Sequence, residues 1–148
     1  MSTYTQILYQ IVFSTKHRNP TLLEESRDLL FKDIWGILKN KKCHLYCING
    51  VEDHIHIVTH IHPTVAVSSL IKDIKLGSND YIKKNRIFLD FSGWQEGYGA
   101  FTYSIKEKER LIRYVKHQQD HHKRFTYKEE LTTLLNEHQV EFNEKYLL

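Results

Sequence analysis

A chain of 148 residues with 41% hydrophobic and 26% charged side chains has the composition of one soluble globular domain, with little room for a second core. Its charge of +3 allows a nucleic-acid partner without requiring one. No apolar run approaches the roughly 20 residues that cross a bilayer, no basic-then-apolar leader opens the chain, and two cysteines make no disulfide framework, so the expectation is a reduced, cytoplasmic protein without a membrane partner.

The first predicted element is a strand over Tyr4 to Ser14. Ile7, Tyr9, Ile11 and Phe13 line one face, and Leu8, Gln10 and Val12 the other. Asn19-Pro20 breaks it. Thr21 as N-cap, with Glu24 three residues on, predicts a helix from about Leu22 to Lys39. Cys43 to Val51 and Asp53 to Ile61 read as the next two strands, with Asn49-Gly50 near their turn. Val67, Leu70, Ile71, Ile74 and Tyr81 predict a second helix over about Val65 to Lys84.

Asn85 to Tyr98 is loop-like, and Ala100 to Ile105 fits a fourth strand. A third helix fits Lys106 to about His121 and a short final one Lys128 to His138, within a tail covering 122–148. The order β-α-β-β-α-β makes the fold class α+β: a ferredoxin-like antiparallel sheet with two helices on one face and additional C-terminal helices. Residues 1–148 then form a single domain. The other sheet face is left for a ligand, a partner or the added helices.

Ten histidines are the unusual feature of the composition. On a strand of period two, His54 and His56 share a face and Ile55 and Ile57 take the other. Two imidazoles side by side form half a site for a divalent metal; a chance His-x-His in a histidine-rich strand is the plain alternative. Tyr114 and Gln118, four apart on the third helix, also share a face. Gln118 can offer an amide oxygen beside the imidazoles, and Tyr114 a nucleophile helped by a metal at the phosphate. A half-buried aromatic on an amphipathic helix is the alternative for Tyr114.

Other groups read two ways. Cys43, His44 and Cys47 suggest zinc, but Cys-x3-Cys on a strand separates the thiols too far to chelate together, which favours free thiols. Trp94 and Tyr98 either stack on bases or pack the loop. Lys72, Lys75, Lys83, Lys84 and Arg86, like Lys116, His117, His121, His122, Lys123 and Arg124, either meet phosphates or form a solvated face.

Asp53-His54-Ile55-His56 resembles the HUH motif, and Tyr114-Val115-Lys116-His117-Gln118 with His121-His122 resembles the tyrosine helix of the single-tyrosine HUH transposases, the IS-two-hundred-like insertion-sequence family. Trp94 to Phe101, Tyr9 to Lys16 and Val140 to Leu147 are similar to further family segments, so the resemblance spans nearly the whole chain. It implies a DNA transposase domain, with the tyrosine-bearing helix near 106–121, that cleaves and rejoins single-stranded DNA with hairpin ends through a 5′-phosphotyrosine link. It assigns Tyr114 as nucleophile, His54, His56 and Gln118 as ligands of Mg2+ or Mn2+, no nucleotide cofactor, and a homodimer in which a tyrosine helix completes the partner's site. His117 departs from the asparagine expected there. A non-catalytic single-stranded nucleic-acid-binding module and a metal-dependent nuclease using water are the rival readings.

Overall fold

A computed structural model describes residues 2–147. Strands β1 (Leu8–Ser14), β2 (His44–Gly50), β3 (His54–His60) and β4 (Gly99–Tyr103) form one sheet in the order β2-β3-β1-β4. Each neighbouring pair is antiparallel. Helices α1 (Glu24–Asn40) and α2 (Val67–Asn85) supply the crossovers of the ferredoxin-like arrangement. The two central strands are therefore β3 and β1, as the βαββαβ order requires.

Strand alternation decides which residues meet the crossover helices. Ile11 and Phe13 of β1 and Ile55 and Ile57 of β3 pack with Leu30, Ile34 and Leu38 of α1 and Leu70, Ile71 and Ile74 of α2. The opposite sheet face is not open. Helix α3 (Lys108–Lys116) covers Leu8, Cys47 and Val58 with Leu111 and Val115. Helix α5 (Tyr127–Glu137) covers Val12 and Phe101 with Tyr127, Leu134 and Leu135.

Several boundaries differ from the sequence expectations for tertiary reasons. β1 begins at Leu8 rather than Tyr4, because the register with β3 starts at Leu8↔His60 and Tyr4 is 89% exposed. Thr21 does not cap α1. Leu22 is fully buried and its N–H donates to the Glu52 carbonyl, which keeps the chain extended until Leu23 takes the N-cap position. The register shift between Leu45 and Cys47 inserts an extra residue in β2. Cys43 therefore packs with the crossover helices while Cys47 packs under α3, and both are free thiols.

The expected continuous helix over 106–121 is broken. A capped 3-10 turn (Ile105–Glu107) leads into α3, and α4 (Gln118–His122) starts after a break at His117, whose φ and ψ are −98° and 23°. Asn49 at the end of β2 explains the break. Its side-chain amide donates to the Val115 and Lys116 carbonyls at 2.9 and 3.2 Å, drawing them out of the helical ladder. Gln119 returns a bond to the Asn49 side chain at 3.0 Å.

Candidate functional site

The site begins at the start of β3. The turn before it is closed by a Val51 N–H bond to the His54 carbonyl at 3.0 Å. Gly50 is required there: a Cβ would lie 2.6 Å from that same carbonyl oxygen and 2.7 Å from the Ile55 side chain. This fixes the backbone from which His54 and His56 project. Both imidazoles are fully buried, with ring centroids 5.2 Å apart.

Each ring is oriented by a partner at Nδ1. His54 Nδ1 lies 2.7 Å from Asp53 Oδ1, and His56 Nδ1 lies 2.7 Å from Gln10 Oε1. The Gln10 amide nitrogen donates to the Tyr103 hydroxyl at 2.8 Å, which leaves its oxygen as the acceptor and puts the His56 proton on Nδ1. The Nε2 atoms of both rings consequently turn toward one another's surroundings, where a metal ligand would present its lone pair.

Three side chains from the C-terminal helices meet those Nε2 atoms. Gln118 is fully buried and brings Oε1 to 3.3 Å from His54 Nε2. Glu130 of α5 brings Oε1 to 2.7 Å from His56 Nε2 and Oε2 to 3.7 Å from His54 Nε2. The Tyr114 hydroxyl donates to Glu130 Oε1 at 2.6 Å, and the Gln118 amide nitrogen donates to the same oxygen at 3.0 Å. The structure thus brings His54, His56, Tyr114 and Gln118 together within one chain.

Electrostatics follow from burial. Burial alone would lower the His54 imidazole, but the Asp53 and Glu130 carboxylates push it up to about 9. His56 is held below its ordinary value, chiefly by burial. Burial would raise the Glu130 carboxyl, yet the two histidines beside it hold it well below the carboxylate range. Burial and then the Glu130 charge keep the Tyr114 phenol strongly protonated.

The donor set suits a divalent cation. His54, His56 and Glu130 each place one ligand atom within 4.8 Å of the others. His56 Nε2 and Glu130 Oε2 are buried and make no hydrogen bond. Buried polar atoms without partners are uncommon and costly, and imidazole nitrogen, amide oxygen and carboxylate oxygen are ordinary ligands of such ions. Asp53, His54 and His122 form a second such grouping on the other side of His54, where His122 Nε2 also meets Glu52 Oε1 at 3.2 Å.

Two residues of the cluster had no site role in the sequence reading. Gln10 sits between Leu8 and Val12 on an inward strand face, and Glu130 sits between Tyr127 and Leu134 on the buried stripe of α5. A polar residue where the period calls for an apolar one was the available signal in both. Outside the cluster, Trp94 packs edge-on against Phe13 and Phe91 and donates to Ser78, whereas Tyr98 is partly exposed. Lys75 is tied to the Gln95 and Gly97 carbonyls, while Lys72, Lys83, Lys84 and Arg86 are exposed.

Beside Tyr114 a cavity of about 330 Å³ opens between α3 and α5, bordered by Tyr103, Arg110, His121, Phe125 and Glu137. No described helix is long and apolar enough to cross a membrane.

Comparison with known proteins gives a consistent result. The family model described as "Transposase IS200 like" matches residues 3–118. No curated protein matches the chain. Among solved structures, a candidate transposase from Deinococcus radiodurans R1 is 19% identical, with a TM-score of 0.62 over 80% of this chain and 95% of that one. A REP-associated tyrosine transposase bound to a REP hairpin is 14% identical, with a TM-score of 0.58 over 79% of this chain and 72% of that one. At these identities the two structures share the fold.

Proposed function

This chain belongs to the IS200-like transposase family, and we propose that it cleaves and rejoins single-stranded DNA at hairpin-bearing ends, with Tyr114 as nucleophile. The observation that carries this reading is the meeting of the Tyr114 hydroxyl, His56 and His54 on one buried carboxylate, at 2.6, 2.7 and 3.7 Å. A half-buried tyrosine whose hydroxyl is aimed into a buried two-histidine cluster is placed as a reacting group would be. The REP hairpin bound to the structural neighbour supports hairpin DNA as the substrate class. A homodimer is part of the proposal.

In this reading His54, His56 and Gln118 hold Mg2+ or Mn2+. When bound, the ion supplies Lewis-acid polarisation of the scissile phosphate and stabilises charge on the leaving oxygen. Tyr114 Oη attacks phosphorus, a tyrosine O–P bond forms, and the bond to the 3′-oxygen breaks. The products are a 5′-phosphotyrosine and a free 3′-hydroxyl, the proton lost by the phenol being matched by the one gained at the 3′-oxygen. A 3′-hydroxyl attacking the phosphotyrosine then reseals a strand and restores the phenol, with no nucleotide cofactor consumed. Asp53 and Gln10 keep both Nε2 atoms facing the reaction side. Helix α3 carries Tyr114, and the Asn49 clamp at its end sets where Gln118 enters.

The test is a denaturation-stable protein–DNA adduct, formed on a single-stranded hairpin oligonucleotide from the DNA flanking this gene, with Mn2+ or Mg2+. The expected result is an adduct with the unaltered protein and none with Tyr114→Phe, which still binds the hairpin. Normal cleavage by Tyr114→Phe would establish a nuclease using water. Binding without cleavage by the unaltered protein would establish a non-catalytic binding module.

A further inference from the structure

The matched family region ends at residue 118, yet the cluster does not. Glu130 lies on α5, and its side chain is only 2% exposed. A carboxylate so deeply buried requires compensation, and no lysine or arginine is paired with it among the described residues. Its neighbours are the two Nε2 atoms, the Gln118 amide and the Tyr114 hydroxyl.

The two carboxylate oxygens are used differently. Oε1 accepts from Tyr114 and Gln118. Oε2 is buried, makes no hydrogen bond, and faces His54 Nε2 at 3.7 Å. His56 Nε2 is likewise without a hydrogen bond, although it lies 2.7 Å from Oε1, which already accepts from two donors. Two unpartnered buried atoms belong to one cluster, whose His54, His56 and Glu130 ligand atoms lie within 4.8 Å of one another, and a cation among them would partner both.

The placement of Glu130 is also built rather than incidental. Thr126 and Glu129 form a reciprocal capping box that fixes the first turn of α5. Tyr127, Leu134 and Leu135 clamp the same helix to Val12 and Phe101. Glu130 therefore points inward on a rigid element, along the stripe that anchors the helix.

We propose that Glu130 is a ligand of the divalent cation, supplied by the C-terminal helix, and that the same carboxylate positions Tyr114. This rests on the reading that His54, His56 and Gln118 hold the cation. An anionic oxygen added to two imidazoles and an amide favours a hard ion such as Mn2+. It also couples metal loading to the docking of α5, and links the nucleophile to the metal through one residue.

The experiment is a calorimetric titration of the full chain with Mn2+ alone, alongside hydrogen exchange with and without the ion. Glu130→Gln should weaken Mn2+ binding by about tenfold or more, while Glu130→Asp, which keeps the charge, should weaken it less. Mn2+ should slow exchange across 127–137 in the unaltered protein and leave it unchanged in Glu130→Gln. Unaltered Mn2+ affinity in a folded Glu130→Gln overturns the proposal. Should that variant not fold, an α5 exchange rate indifferent to Mn2+ in the unaltered protein overturns it equally. Loss of Mn2+ binding in His56→Ala but not in Glu130→Gln would remove Glu130 alone and leave the three-ligand reading standing. Failure of the unaltered protein to bind Mn2+ would remove both.

Discussion

His56 and Ile57 are neighbours in β3, both fully buried, and face opposite sides of the sheet. Ile57 lies in an apolar cluster with the leucines and isoleucines of α1 and α2. His56 lies under α3 and α5 among Gln10, Tyr114 and Glu130. The first face gains free energy from burial alone. The second loses solvation and recovers it through bonds to specific partners. One strand thus separates stability from chemistry by residue parity, and each kind of face has its own response to substitution.

The largest effect expected from this contrast is on the apolar face. Ile57→Ala should cost about 2–5 kcal/mol in denaturant unfolding, through lost burial and the cavity left behind. The folded variant should bind Mn2+ as the unaltered protein does. A loss of Mn2+ affinity as complete as that of a histidine variant would break the comparison.

On the polar face, the separation is read by metal-linked stability. Mn2+ at a hundred times its dissociation constant should stabilise the unaltered protein by about 2.7 kcal/mol. His56→Ala should lose that increment, while Ile57→Ala keeps it. Thermal melts with and without the ion make the measurement, and a retained increment in His56→Ala would place the cation elsewhere.

Asn49→Ala gives the smallest effect and the sharpest one. It removes the clamp at the end of α3 and should cost about 1 kcal/mol of unfolding free energy. Its imprint on adduct formation should exceed its imprint on stability, because Gln118 enters the cluster directly after the break that Asn49 holds. An adduct rate equal to that of the unaltered protein would show that the break does not set the site.

The sequence made the strand faces and much of the site legible because these are local properties. Period two in β1 and β3 separates Ile7, Tyr9, Ile11 and Phe13 from Leu8, Gln10 and Val12, and His54 and His56 from Ile55 and Ile57. A spacing of four pairs Tyr114 with Gln118, and both reach Glu130 even though the helix between them is not regular. What periodicity misplaced was each feature set by a distant partner. Leu22 delays α1 by bonding to Glu52, and Asn49 breaks the tyrosine helix from another element.

By itself, then, the sequence determined the order of elements, the side of the sheet each strand residue takes, and the pairing of His54 with His56 and Tyr114 with Gln118. Only the tertiary structure decided that Gln10 orients His56, that one chain gathers the cluster, and that Glu130 stands at its centre. The reason is physical. Backbone geometry repeats every two or 3.6 residues and is written locally, whereas the docking of α5 depends on Tyr127, Leu134 and Leu135 finding Val12 and Phe101 across the fold.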